Sequence, residues 1–154
     1  MTPRAHISRL HAATIIMFGV AAVIYAVTAQ ERPLRATVGQ PLTMPVSRAP
    51  LTTASPGGAR HVVVTVTAFQ PSPDGPVQAV VSALCGASVV ELGRFGLLPQ
   101  KGFSAAEPAK AQRFSLPVGA DGACMAPDHV TISLAPNQGE GRGASLEIGS
   151  AELR

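Results

Sequence analysis

The chain has 154 residues, room for one domain and a leader, and its 15 glycines and 14 prolines favour short elements joined by turns over long helices. Charged residues make up 14%, aromatic residues 4%, and Trp is absent, which argues against a sugar-stacking face and against a basic, aromatic-interleaved nucleic-acid surface. The net charge of +3 marks no basic patch: Arg4 and Arg9 precede the first hydrophobic run, and the ten basic residues after it face nine acidic ones.

Residues 1–11 form a basic leader. Ala12–Ala29 is an uncharged apolar run of 18 residues, which as a helix spans about 27 Å, near the lower limit for crossing a bilayer. With basic residues ahead of it, the run predicts export of everything that follows. Two readings stay open. Val27-Thr28-Ala29 suits a cleavable signal peptide, whereas the length of the apolar core suits a retained transmembrane anchor. The expected location is periplasmic or cell-surface, with attachment to the membrane through residues 12–29 if the run is kept.

Residues 30–60 carry Pro33, Pro41, Pro45, Pro50 and Pro56, then Gly57-Gly58. Prolines remove backbone donors, so the stretch cannot sustain a helix or a central strand. It reads as an extended linker with one edge strand around Leu34–Val38, a stalk if the apolar run anchors the chain.

Residues 61–154 read as the folded domain. His61–Phe69 is the strongest strand, rich in β-branched residues, and Pro71–Pro76 is a turn centred on Asp74-Gly75. Val77–Leu84 and Ser88–Leu97 follow as strands. Arg113–Val118 places Phe114, Leu116 and Val118 on one face, and His129–Ala135 turns Val130, Ile132 and Leu134 inward. Ala144–Leu153 pairs Leu146 with Ile148 and then changes parity near Gly149-Ser150, the mark of a bulge. Helical spacing is confined to a short turn around Ala105–Ala111. The fold class is therefore all-β, an antiparallel sandwich of six or seven strands behind a single N-terminal hydrophobic helix.

Cys85 and Cys124 are the two cysteines, and both follow the export segment. An oxidising compartment favours a disulfide between them, closing a loop of about 40 residues worth roughly 4 kcal/mol.

A search for chemistry returns little. Of four histidines only His61 and His129 follow the apolar run, and zinc, phosphate-loop and nucleophile-elbow motifs do not occur. Gly139–Gly143 joins two predicted strands, so it reads as a hairpin tip and not as a phosphate cradle. The carboxylates are scattered singly. The chain is expected to be no enzyme and to need no cofactor. Cys124, Met125 and His129 lie close in sequence and offer soft ligands for copper. With Cys124 in a disulfide, Met125 and His129 alone remain as a two-ligand contact, against the plain alternative of a turn and a strand start. Phe95, Leu97, Leu98 and Phe103 in FGLLPQKGF are candidate partner-contact residues if exposed, and core residues if buried.

From Arg60 to Arg154 the runs HVVVTVTAF, VVELGRFGLLP, HVTISLAP and ASLEIGSAEL resemble the C-terminal domain of plant-type polyphenol oxidases and tyrosinases, the KFDV-type domain. The Lys-Phe-Asp-Val tetrapeptide itself is missing, with PVQAVVSA near its place, and the cysteine pair is foreign to that pattern. The resemblance implies a β-sandwich that packs over a dicopper oxidase domain and shields its entrance. It implies no oxidase activity here, since that site takes six histidines. Three functional readings follow: a non-catalytic exported domain that binds another protein, such as an accessory or shielding subunit of a membrane or periplasmic oxidase; a periplasmic copper-handling protein using Met125 and His129; and a small single-helix structural subunit of a membrane complex.

Overall fold

Alternation of buried and exposed side chains along the β-branched runs sets the architecture. A computed structural model describes residues 33–48, 60–97, 101–119 and 124–154. The leader, the apolar run 12–29, the segment 49–59 and Leu98 lie outside the described residues. Nine strands run in order: β1 Arg35–Thr37, β2 Leu42–Pro45, β3 Ser47–Arg48, β4 Arg60–Gln70, β5 Val77–Cys85, β6 Ser88–Gly96, β7 Gln112–Val118, β8 His129–Pro136 and β9 Ser145–Leu153. Among the described residues a single 3-10 turn, Pro108–Lys110, precedes β7.

The strands form two packed sheets. Sheet A has the order β1-β9-β4-β7, and sheet B the order β2-β8-β5-β6. All pairs are antiparallel except that of β3, which joins sheet A as a parallel addition to β9. The six long strands coincide with the six read from the sequence to within a residue or two at each end. Their inward positions meet between the sheets: Val62, Val64, Val66 and Phe69 of β4, Leu146 and Ile148 of β9, Val77, Ala79 and Val81 of β5, and Val130, Ile132 and Leu134 of β8. Fully burying a Val or Leu side chain contributes about 1.5–3 kcal/mol, so this interior is the main source of stability.

The bulge expected near Gly149 is present and has a counterpart. Thr65 pairs with Ser150 and Val66 with Ile148, leaving Gly149 over; Ala68 then pairs with Glu147, leaving Thr67 over. The two extra residues face each other, and a Cβ on Gly149 would fall 2.7 Å from Thr67 Cγ2. A side chain at position 149 would have to push the Thr67 methyl aside.

Two expectations are corrected. Residues 33–48, assigned to the linker, belong to the sheets: the edge strand expected around Leu34–Val38 is β1, paired with β9, and beyond it β2 pairs with β8 and β3 returns to β9. All three are short and lie at sheet edges, where proline is tolerated; Pro45 uses β8 on one side and needs no partner on the other. The boundary drawn after residue 60 is thus too late, and the sandwich starts near Pro33.

The run Gly139–Gly143 is likewise no hairpin tip. It carries the chain from β8 in sheet B to β9 in sheet A, with Gly139, Gly141 and Gly143 at φ of 64°, 64° and 75°. Gly141 is buried against Val38, Pro136 and Val77, each within 3.2 Å of where a Cβ would stand.

Candidate functional site

One end of the sandwich gathers the residues singled out for chemistry. Here β5 turns into β6 through Gly86-Ala87, β7 leaves sheet A, and β8 enters sheet B at His129. Cys85, the last residue of β5, is joined by a disulfide to Cys124 in the crossing from β7 to β8, with Cα atoms 5.8 Å apart. The crossing residue Cys124 is buried, so the bridge closes the core at this end. Arg60 reinforces it by donating from Nη1 to the Met125 carbonyl at 3.3 Å, and Arg48 pairs with Asp128 at 3.1 Å.

The disulfide consumes the thiolate that a copper site would use. Met125 is 54% exposed and lays its sulfur over Gly119, while His129 is an exposed residue at the start of β8. Among the described residues no group of three or more His, Cys, Asp or Glu side chains converges on one point. Met125 and His129 are both exposed side chains.

Of the FGLLPQKGF run, Phe95, Leu97 and Phe103 lie inside, which removes them as an exposed contact surface. Phe95 stacks face to face on Phe114 of β7 with ring centroids 3.8 Å apart, tying the edge of sheet B to the edge of sheet A. Phe103 exchanges two 2.9 Å backbone hydrogen bonds with Phe69 and packs its ring against Phe69 at 6.4 Å. Phe95, Leu97 and Phe103 all join the core cluster between the sheets.

The opposite end holds two shallow, adjoining hollows of about 430 and 360 Å³ that share Arg35, Gln70 and Ser145. Their charged walls are already paired, Arg35 with Glu147 at 2.5 Å and Arg142 with Glu140 at 2.7 Å. Such walls suit a polar chain lying across them but provide no isolated group for acid–base work.

The outer faces of the two sheets differ. Sheet A presents Thr65, Ser150 and Glu152 in a hydrogen-bonded row, with Ser150 Oγ 3.2 Å from Thr65 Oγ1 and 3.3 Å from Glu152 Oε1. The Glu152 carboxyl is held below the usual carboxylate range, chiefly by hydrogen bonds from Arg154, with smaller help from Ser150 and Arg113. Sheet B instead carries Pro45, His129, Leu84 and Val89 side by side in one cross-strand row. Val89 is 68% exposed, the largest exposure among the large apolar residues described. The next rows hold the Thr43–Thr131 pair, hydroxyls 2.9 Å apart, and then Val80 beside Arg94. On the β6 edge Arg94 grips Glu91 with two hydrogen bonds, lowering the carboxyl pKa and raising that of the guanidinium.

The strip on sheet B was missed from sequence, yet a signal was there. A two-residue turn at Gly86-Ala87 makes Cys85 and Ser88 partners and so sets Leu84 opposite Val89 on the face away from the core. Comparison of the chain with protein-family models, curated proteins and solved structures yields no significant match.

Proposed function

We propose that the chain is an exported, non-catalytic β-sandwich that binds another protein through the outer face of sheet B. The observation that carries this reading is the Pro45–His129–Leu84–Val89 strip, with Val89 68% exposed on a sheet whose opposite face already fills the core. A row of Pro45, Leu84 and Val89 with His129 among them, bordered by threonines and one Glu–Arg pair, matches the make-up of protein interfaces, apolar at the centre and polar at the rim. The Cys85–Cys124 disulfide is in keeping with an oxidising compartment, and the Ala12–Ala29 run with delivery to one. The resemblance to the shielding domain of polyphenol oxidases points to an oxidase as the partner, with this chain as its accessory subunit.

The test is co-purification of the full chain in mild detergent. Wild type is expected to bring down a discrete partner, and Val89→Lys to lose it while keeping the same far-UV spectrum and melting temperature. Recovery of wild type as a lone monomer, or equal capture by Val89→Lys, overturns the reading.

A further inference from the structure

Where the sandwich begins changes what an anchor would do. The apolar run ends at Ala29, and Leu34 is already fixed in sheet A, its carbonyl accepting from Ile148 N at 2.8 Å. The intervening chain can extend by at most about 17 Å. Lipid headgroups occupy roughly 5–7 Å on each side of the hydrocarbon core, the difference between the two bilayer thicknesses. With the run retained, the tether between it and the first sheet residue is no longer than about 17 Å, which keeps the headgroup layer within range of this edge.

The chain joins the domain at one edge of sheet A, along the free side of β9, where β1 covers Ser145–Glu147 and β3 covers Glu152–Leu153. That edge carries Leu34, 42% exposed, between two arginines whose side chains are 51% (Arg35) and 66% (Arg48) exposed. Arg48 and Asp128 form an exposed ion pair, which is weak and exchanges readily for another anion, whereas Arg35 is held by Glu147, whose side chain is only 16% exposed. An apolar side chain flanked by guanidinium groups matches the acyl–headgroup boundary, the leucine reaching inward and the arginines meeting phosphate.

We propose that the β1–β3 edge of sheet A is a membrane-docking surface for anionic phospholipid, with Leu34 at the interface and Arg35 and Arg48 on lipid phosphates. This rests on the anchored form of the function above.

The experiment places a fluorophore at Leu34→Cys or, as the far-edge control, Val89→Cys in the full chain, reconstituted in phosphatidylcholine vesicles carrying a headgroup quencher, with or without phosphatidylglycerol. A second set inserts a long Gly/Ser spacer between Arg32 and Pro33, which separates docking from mere tethering. Expected are strong quenching at position 34 and little at 89, persistence with the spacer on phosphatidylglycerol vesicles, and a shift of the docked-to-undocked ratio of about fivefold for each of Arg35→Gln and Arg48→Gln. Equal quenching at both positions, or its disappearance with the spacer, overturns the docking surface while leaving an anchored protein. A mature chain that starts at Gln30 overturns the anchored form itself and the docking surface with it, and N-terminal sequencing identifies that case.

Discussion

The two ends of the sandwich are closed by different means. At one, a covalent bond between Cys85 and Cys124 holds the β7–β8 crossing against the β5–β6 turn. At the other, Gly139–Gly143 folds down on the Asp74 turn, with Arg142 N donating to Asp74 Oδ2 at 3.4 Å, while Phe69 and Phe103 seal the neighbouring flank. The first end works by restricting the unfolded chain, the second by fit in the folded one. Such ends fail differently: reduction loosens the first, added volume the second.

The comparison can be tested in descending order of effect. Replacing both Cys85 and Cys124 by Ala is expected to cost about 4 kcal/mol from the lost loop constraint, read as a lower denaturation midpoint. A loss below about 1 kcal/mol would show that packing alone closes that end. Phe103→Ala is expected to cost about 3 kcal/mol, since it empties a buried aromatic position while the disulfide stays intact. Gly141→Val is expected to cost about 2 kcal/mol, because it combines a left-handed backbone with overlap onto Val38, Pro136 and Val77; a neutral result would mean the glycine end yields. The smallest effect is electrostatic and sits at the stapled end. The folded Glu152 carboxyl has a lowered pKa, so its contribution is present above the ordinary carboxylate value and is lost as pH falls through the lowered one. Glu152→Gln should flatten that part of the acid limb of the stability profile without moving the alkaline limb, as measured by denaturant midpoints across pH.

How legible this fold was depended on whether a residue's environment is local. The six long strands showed themselves because β-branched alternation is a property of each segment, and the parity change at Gly149 exposed the bulge for the same reason. β2 and β3 stayed hidden because Pro41 and Pro45 signal only that no central strand passes there, and an edge strand obeys a weaker rule. Phe95 and Phe103 were ambiguous because their burial is decided by Phe114 and Phe69, which come from β7 and β4. Of the candidate site, the disulfide was readable from compartment and count. The strip at Leu84 and Val89 needed the hairpin register as well as the pattern.

Of the five connections between the six long strands, four pass from one sheet to the other, and only β5–β6 is a hairpin within a sheet. β4, the first long strand, pairs with β9, the last, and Val62 finds its partner at Leu153. Loop-closure entropy must therefore be met before most native contacts can form, a high-contact-order topology that folds in about milliseconds to seconds rather than microseconds. Sheet B can be completed once β8 has been made, whereas sheet A waits for the last strand, because β1, β3 and β4 all take β9 as a partner.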